Sequence, residues 1–211
     1  MHILLDLDGT LTDPKEGITK SIAFALSRFE IAVPDEHRLI ECIGPPLSAS
    51  FEQLLPEPTT ERINEAIAHY RTRFTTQGIF ENTVYPGIPD ALENLVSQGA
   101  TLHLATSKPK VFAQQILEYF ELDKPFTSIN GSELDGTRSH KAELISYILA
   151  QQSIEPSQAI MIGDRSYDII GAIANDVKTA GVLWGYGSRA ELEKAKAAQL
   201  LETPDYLANV V

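Results

Sequence analysis

The chain has 211 residues but only one cysteine, Cys42. A single cysteine cannot form an intramolecular disulfide, and a metal site built on several cysteines is excluded as well. Cys42 stands among apolar residues, so we expect it to be a small buried side chain rather than a nucleophile. The low cysteine content is typical of a reducing compartment, and we predict a cytoplasmic protein.

Basic residues are scarce relative to acidic ones. The chain has 17 Lys and Arg against 29 Asp and Glu, which gives a formal net charge of −12. A strongly negative surface repels phosphate backbones, and the sequence has no basic run interleaved with aromatic residues to offset this repulsion. We therefore expect no nucleic acid polymer among the partners of this protein.

Long hydrophobic runs are absent too. No apolar run approaches the ~18–20 residues of a membrane-spanning helix, and residues 1–5 are too short for the apolar part of a signal peptide. Hydrophobic residues nevertheless make up 43% of the chain and charged residues 22%. These proportions suffice for the buried core of one or two globular domains, so we predict a globular protein that has no membrane partner.

What the sequence does contain is an alternation of strand-like and helix-like segments. Short apolar runs, each followed by small or polar residues, indicate buried strands at residues 2–7, 101–105, 159–162 and 179–184. Segments with helical spacing lie between these runs, at residues 92–96, 112–120 and 144–149. The alternation predicts an α/β fold with a Rossmann-like parallel sheet and helices on both faces, with ligands at the carboxyl ends of the strands.

Residues 13–85 interrupt this alternation. They show helical periodicity and no convincing strand; the apolar positions are Ile18, Ile22, Leu26, Phe29, Ile63, Ile67, Tyr70 and Phe74. We interpret them as a small all-helical cap, inserted after the first strand and above the ligand-binding edge of the sheet. Residues 1–12 and 86–211 then form the α/β core. Near its end, a capping-box pattern at residues 188–191 predicts a helix through about residue 198.

Acidic side chains follow two of the predicted strands. Asp6 and Asp8 are two residues apart, which places both side chains on one side of an extended segment. Asp164 and Asp168 are four residues apart, which brings both to one face of a helical turn. Since the carboxyl ends of parallel strands share one edge, we expect these carboxylates to converge. Mg²⁺ best compensates such an all-oxygen cluster, with Mn²⁺ as a substitute in vitro and Zn²⁺ disfavoured.

Other polar residues near these strand ends suit a phosphate group. Lys141, which opens a predicted helix, supplies a positive charge, and Thr106 supplies a hydroxyl group. The loop residues Gly9, Thr10 and Ser107 add further hydrogen-bond donors. The sequence therefore predicts an anion site built beside a metal.

The two acids after the first strand have distinct predicted roles in such a site. Asp6 is placed to attack phosphorus and form an aspartyl-phosphate. Asp8 can protonate the leaving oxygen and later deprotonate the attacking water.

The polar clusters, in this order along the chain, resemble the motifs of the haloacid dehalogenase (HAD) superfamily of phosphohydrolases. The matching positions are residues 6–10 (DLDGT), Thr106, Lys141 and residues 163–168 (GDRSYD). The resemblance implies a HAD-like core in which Asp6 is the nucleophile, Asp8 the general acid and base, and Thr106 and Lys141 the phosphate binders. The metal ligands it implies for Mg²⁺ are Asp6, the backbone carbonyl of Asp8, Asp164 and Asp168, the last directly or through a water. The helical insertion likewise resembles the C1-type cap of phosphoglycolate phosphatase-like members.

Three further segments are similar to a subset of this group that is described as 5′-nucleotidase-like. They are residues 43–47 (IGPPL), 105–109 (ATSKP) and 131–139 (GSELDGTRS). Phosphoglycolate phosphatases tend to carry Thr-Asn-Lys where this chain has Thr106, Ser107 and Lys108. The resemblance implies a Mg²⁺-dependent phosphomonoesterase for a small soluble phosphate ester, either a nucleoside monophosphate or phosphoglycolate.

Other functions fit parts of the pattern. A phosphomutase on the same scaffold would keep the phosphoryl group by excluding water. A phospho-accepting signalling protein also sets acids, Mg²⁺, Thr and Lys around an aspartate, but its phosphorylated aspartate follows a later strand and it lacks an insertion of this size. Haloacid dehalogenation is disfavoured, because it needs neither Asp8 nor the metal. We assign no oligomeric state.

Some residues have weaker signals. We interpret Arg138 and His140 as ordinary polar residues of a loop, and Trp184 as a packing residue at a strand end. Residues 44–46 (GPP) are either a plain helix break or a loop that faces the substrate.

Overall fold

The apolar runs of the sequence form a parallel sheet in the computed structural model, which describes residues 1–210. The strands of this sheet are β1 (His2–Leu5), β4 (Thr101–Pro109), β5 (Phe126–Ser132), β6 (Ala159–Gly163), β7 (Lys178–Val182) and β8 (Gln199–Leu201). Their order across the sheet is β5-β4-β1-β6-β7-β8, and each neighbouring pair is parallel. The predicted α/β class with a parallel sheet is confirmed.

The chain divides into two units. The larger one consists of Met1–Asp13 and the chain from Val84 onward, and the smaller one is Pro14–Thr83. The two-residue strands β2 (Thr12–Asp13) and β3 (Thr83–Val84) lie where the chain leaves the larger unit and returns to it.

The helices of the larger unit follow its strands in sequence. They are α5 (Ile88–Ser97), α6 (Lys110–Tyr119), α7 (Lys141–Gln152), α8 (Ser166–Ile173) and α9 (Arg189–Lys194), with 3₁₀ turns at Pro156–Gln158 and Pro204–Val210. Helix α7 packs on β4, β5 and α8, while α6 packs on β4 and β5. The helices thereby cover the sheet, as parallel sheets require.

The core of the larger unit lies around the two central strands. Leu4 of β1 and Met161 of β6 are fully buried, and they share one cluster with Leu144 and Ile148 of α7. Burying each such side chain stabilises the fold by about 1.5–3 kcal/mol. Because both faces of these strands are covered, their sequences are continuously apolar, and this is why the runs were recognisable as strands.

The smaller unit is helical. Its helices are α1 (Lys15–Ser27), α2 (Glu36–Ile40), α3 (Leu47–Leu54) and α4 (Thr60–Arg73), and a π-helical turn at Phe74–Gly78 continues α4. Tyr70 stacks on Phe74 with ring centroids 5.2 Å apart and meets Phe51 edge-on at 6.5 Å. Arg73 forms two hydrogen bonds to Glu81, of 2.7 and 2.8 Å. Aromatic packing and this bidentate pair hold the turn at the end of α4.

Four elements differ from the predictions. Strands β5 and β8 were missed, because β5 is rich in polar residues such as Thr127 and Asn130 and β8 has only three residues; both lie at edges of the sheet. The two-residue strand β3 lies within the stretch predicted to have no strand. Helix α9 ends at Lys194 rather than near residue 198, since Lys196 adopts a left-handed conformation with φ of 67°.

Cys42 is a buried, unbridged thiol, as predicted. Among residues 1–210, the helices are too short or too polar to cross a membrane.

The side chains of two histidines connect the neighbouring strands β1 and β4. Nδ1 of His2 lies 3.0 Å from Nε2 of His103, whose Nδ1 lies 2.8 Å from the hydroxyl oxygen of Ser128. The side chain of His103 is almost fully buried on β4. Burial, and to a smaller extent the charge of His2, lower the pKa of His103 to about 4.

This histidine pair predicts an acid sensitivity of the fold. Folded His103 stays neutral while its unfolded form binds a proton below about pH 6.5, so its contribution to stability is present above that pH and is lost towards about pH 4. The expected loss at about pH 5 is roughly 1–2 kcal/mol of unfolding free energy. Urea unfolding at about pH 7.5 and about pH 5 should show a smaller pH effect in His103→Gln than in the wild type.

The exposed His37 of α2 provides the matched control. His37→Gln should keep the wild-type dependence on pH. An identical pH effect in His103→Gln and the wild type would contradict the assignment.

Candidate active site

The carboxyl ends of three neighbouring strands bring the predicted site residues to one edge of the sheet. Asp6 follows β1, Thr106 lies in the last part of β4, and Asp164 follows β6. Leu5 pairs with Leu104 on one side and with Ile162 on the other. The amide of Asp6 donates to the Ile162 carbonyl at 3.0 Å, which extends the pairing by one residue and fixes where the Asp6 side chain starts.

Three of the predicted acids form one cluster. Asp6, Asp164 and Asp168 each offer a carboxylate oxygen, and these oxygens lie within 4.8 Å of one another. The three residues are 3%, 0% and 1% exposed. The Oδ1 atom of Asp164 is buried and accepts no hydrogen bond from any of residues 1–210. A hard divalent cation such as Mg²⁺ takes oxygen ligands of this kind, so these residues fit a metal site.

Lys141 at the start of α7 compensates part of this negative charge. Its Nζ lies 2.9 Å from Oδ1 of Asp6 and 2.5 Å from Oδ1 of Asp168, and it donates to the Ala105 carbonyl at 2.8 Å. Burial alone would lower the pKa of Lys141, but the charges of Asp168 and Asp6 outweigh burial and raise it. Lys141 is therefore a buried ammonium ion that pairs with two carboxylates and donates a hydrogen bond to one carbonyl.

The acids nevertheless outnumber the positive charges. Burial raises the pKa of Asp164 well above its usual range, and the charges of Asp168 and Asp6 raise it further. Burial also raises the pKa of Asp168 to about 6, although Lys141 opposes this shift. Carboxylates that resist ionisation in this way are stabilised as anions by an added cation.

Asp8 has a partner of its own. Both of its carboxylate oxygens lie 2.7 Å from Nζ of Lys108, and the two side chains are 11% and 6% exposed. Burial raises the pKa of Asp8, and the nearby Lys108 ammonium partly reverses the shift. The carboxylate of Asp8 is thus held apart from the cluster of Asp6, Asp164 and Asp168.

The predicted phosphate-binding residues lie at the same edge, but the structure uses some of their groups locally. Thr106 is buried, and its hydroxyl oxygen accepts from the Lys108 amide at 3.3 Å. The Gly9 amide donates to the Thr12 carbonyl at 2.8 Å. Thr10 is buried, and the Ser107 carbonyl accepts from the Ser132 hydroxyl at 2.9 Å. The hydrogen bond of the Gly9 amide is therefore made within its own loop.

The prediction that Asp164 and Asp168 lie in one helical turn is wrong. Helix α8 begins at Ser166, so Asp164 lies in the loop before it. Asp168 is in the first turn, where its Oδ2 accepts from the Arg165 amide at 3.1 Å. The two carboxylates still meet, because the loop places Asp164 over the end of β6.

The loop of residues 183–187 packs directly on the acids and was not predicted to belong to the site. The amide of Tyr186 donates to Oδ2 of Asp164 at 2.8 Å, and its hydroxyl donates to Asp13. A Cβ atom at Gly185 would lie 2.3 Å from the Gly9 carbonyl oxygen and 2.4 Å from Cβ of Asp164. Only glycine permits this approach. The signal in the sequence was Gly185 and Gly187 on either side of a tyrosine, directly after a predicted strand.

Lys108, too, was missed as a site residue. The sequence shows that Lys108 lies two residues after Thr106, but it does not show that the side chain of Lys108 points to Asp8.

Two residues with weaker signals in the sequence also make defined contacts. Trp184 donates its indole N–H to the Thr10 carbonyl at 3.0 Å, so it does pack at the strand end. Arg138 pairs with Glu133 and lies 4.3 Å above the ring of Tyr147.

Two predicted features lie outside the acid cluster. His140 immediately precedes α7, where its carbonyl accepts from the Leu144 amide at 3.0 Å. Residues 44–46 lie in the smaller unit, between α2 and α3.

Comparison with known proteins identifies the family. The model of the haloacid dehalogenase-like hydrolase family matches residues 3–182. A 5′-nucleotidase from Pseudomonas aeruginosa is 51% identical over 191 residues, which cover 90% of this chain and 86% of that protein. The tyrosine-protein kinase PtkA from Mycobacterium tuberculosis is 36% identical over 192 residues, which cover 91% of this chain but only 65% of the relative.

A solved structure agrees with this placement. The crystal structure of a predicted phosphatase from Clostridium acetobutylicum superposes with a TM-score of 0.95 at 45% identity, covering 99% of this chain and 96% of the other. The buried acids at the carboxyl edge of the sheet and these relatives agree: the chain belongs to the haloacid dehalogenase-like hydrolases and is a phosphatase of that family.

Proposed function

We propose that this phosphatase hydrolyses small phosphate monoesters with Mg²⁺ through an aspartyl-phosphate on Asp6, and that its preferred substrate class is nucleoside 5′-monophosphates. The observation that carries the mechanism is the buried cluster of Asp6, Asp164 and Asp168 beside the pair of Asp8 and Lys108. The substrate class is supported by the relative named 5′-nucleotidase at 51% identity.

The metal would be held by Asp6 and Asp164, with the Asp8 backbone carbonyl and Asp168 completing or supporting its coordination. The unpartnered Oδ1 of Asp164 supports this assignment. When bound, Mg²⁺ would neutralise negative charge on the phosphoryl oxygens and on the attacking carboxylate.

The first step transfers the phosphoryl group to the enzyme. A carboxylate oxygen of Asp6 forms a bond to phosphorus while the bond from phosphorus to the ester oxygen breaks. Asp8, in its protonated form, gives its proton to that oxygen, so the alcohol leaves neutral. Lys141 lies 2.9 Å from Oδ1 of Asp6 and offsets charge at the nucleophile.

The second step releases phosphate. Water attacks phosphorus while Asp8, now a carboxylate, accepts a proton from that water. The bond from phosphorus to Asp6 breaks, and the Asp6 carboxylate and inorganic phosphate are restored. Atoms and protons balance over the two steps.

The division into core and cap is part of the proposal. Asp6, Asp8, Lys108, Lys141 and Asp164 all lie in the larger unit. We therefore assign catalysis to that unit. The smaller helical unit has the role of a cap that excludes bulk water and selects the substrate.

Phosphate release across a panel of esters tests the substrate class. We expect release with Mg²⁺ and none with EDTA, with nucleoside 5′-monophosphates ahead of phosphoglycolate and sugar phosphates. Phosphotyrosine belongs in the panel because one relative is named a tyrosine-protein kinase. Preference for phosphoglycolate or phosphotyrosine would overturn the nucleotide assignment. Isomerisation of a sugar phosphate that needs a bisphosphate activator would identify a mutase.

Asp6→Asn tests the nucleophile. The amide is nearly isosteric with the carboxylate but cannot attack phosphorus, so turnover should fall at least about 1,000-fold while the fold is retained. The exposed Asp90 of α5 offers the control, because Asp90→Asn changes the net charge equally. Wild-type turnover in Asp6→Asn, measured after circular dichroism confirms folding, would remove Asp6 from this role.

Gly185→Ala tests the loop that holds Asp164. The new Cβ cannot fit at 2.4 Å from Cβ of Asp164, so the carboxylate must move. The Mg²⁺ concentration for half-maximal activity should rise roughly 10-fold or more.

The control is Gly99→Ala, since Gly99 has a φ of 83° and open space around a Cβ. That change should cost about 1 kcal/mol of stability and leave the Mg²⁺ requirement unchanged. Equal Mg²⁺ requirements in both variants would refute the role given to Gly185.

A further inference from the structure

The two lysines of the site have different partners. Lys141 distributes its contacts over Asp6, Asp168 and the Ala105 carbonyl. Lys108 instead approaches both oxygens of one carboxylate, that of Asp8, at 2.7 Å each. Lys141 therefore contacts two acids of the cluster, and Lys108 contacts Asp8.

The backbone around Lys108 is built to aim this side chain. The pairing of β4 with β5 shifts register between Thr106 and Pro109, so the strand bulges at this point. The Lys108 amide donates to the Thr106 hydroxyl, and the Ser107 carbonyl accepts from Ser132. Bulges beside active sites redirect side chains, and here the redirected one is 6% exposed.

We propose that Lys108 is a positioning residue that holds the Asp8 carboxyl in place for proton transfer to the leaving oxygen. This inference rests on the proposed function, in which Asp8 is the general acid. A carboxyl group contacted at both oxygens loses its rotational freedom, and proton transfer requires the acid to stay within hydrogen-bond reach of the leaving oxygen. The support of reactive groups by a second layer of contacts is a general requirement of such sites.

If Lys108 positions Asp8, the effect of removing Lys108 depends on the leaving group. A purely structural ion pair would show no such dependence. Protonation matters most for alkyl esters, whose alkoxides are poor leaving groups. It matters least for p-nitrophenyl phosphate, whose phenolate leaves without help. Asp8 also serves as the base in the second step for every ester, so the selectivity is expected in kcat/KM, which reports the steps up to transfer of the phosphoryl group. Loss of the positioning contact must therefore lower kcat/KM selectively for alkyl esters.

Lys108→Met is the test variant, because methionine keeps much of the side-chain length and removes the ammonium group. We expect kcat/KM for adenosine 5′-monophosphate to fall on the order of 10- to 100-fold, and kcat/KM for p-nitrophenyl phosphate to fall less than about 3-fold. Lys108→Arg, which can contact both oxygens of Asp8, should recover part of the loss. The exposed Lys110 gives the control, and Lys110→Met should leave both values unchanged.

A double variant shows whether Lys108 acts through Asp8. In an Asp8→Asn background, Lys108→Met should cause no further loss of kcat/KM on adenosine 5′-monophosphate, in contrast to the loss on the order of 10- to 100-fold expected in the wild-type background. An equal loss on both esters, together with weaker inhibition by inorganic phosphate, would overturn the proposal and make Lys108 a phosphate-binding group. A lower melting temperature with wild-type kcat/KM would also overturn it and leave a structural ion pair.

Asp6→Asn, measured in parallel, separates this inference from the proposed function. If Asp6→Asn is inactive and Lys108→Met has wild-type activity on both esters, only the role of Lys108 is wrong. If Asp6→Asn retains turnover, the aspartyl-phosphate mechanism itself is wrong.

Discussion

The site depends on one electrostatic constraint: four carboxylates are buried at one edge of a parallel sheet. Asp6, Asp8, Asp164 and Asp168 are almost completely removed from water, and two lysines lie among them. Water cannot screen these charges, so each acid needs a nearby positive group or a proton. The two lysines do not compensate all of this negative charge, and the pKa values of Asp164 and Asp168 are raised as a result. The divalent cation that we propose for this site would supply the missing positive charge.

The packing of the site serves the same constraint. Buried acids stay close together only if their backbones are fixed, and the loop of residues 183–187 does this by direct contact. Gly185 lies against both Gly9 and Asp164, the Tyr186 amide donates to Asp164, and Trp184 donates to the Thr10 carbonyl. This loop thereby links the segment after β1 with the segment after β6. Its hydrogen bond from Tyr186 to Asp13 reaches the end of that first segment, where the chain leaves the larger unit.

Much of the fold was readable from the sequence, for a physical reason. Central strands such as β1 and β6 are buried on both faces, so their residues must be continuously apolar. The edge strands β5 and β8 carry no such demand, and they were missed. The helical spacing given to Asp164 and Asp168 failed because α8 starts at Ser166, two residues after Asp164.

The site shows the same division. The order of the acidic, hydroxyl and lysine positions along the chain was sufficient to predict that Asp6, Asp164, Asp168 and Lys141 share one site. The pair of Lys108 and Asp8 depends on a bulge in β4, and no pattern in the sequence states where a side chain points after a bulge. Contacts that depend on backbone direction, such as those of Lys108 and Tyr186, therefore required the structure.

The most direct test of the account is to trap the phosphoryl group on the enzyme. The wild type and Asp8→Asn would be mixed rapidly with Mg²⁺ and p-nitrophenyl phosphate, whose phenolate leaves without an acid, and then quenched in acid, digested and analysed by mass spectrometry. We expect one phosphoryl group on the peptide that contains Asp6, located at Asp6 and persisting longer in Asp8→Asn, because water then lacks its base. Phosphate release without any adduct, or an adduct on another residue, would contradict it.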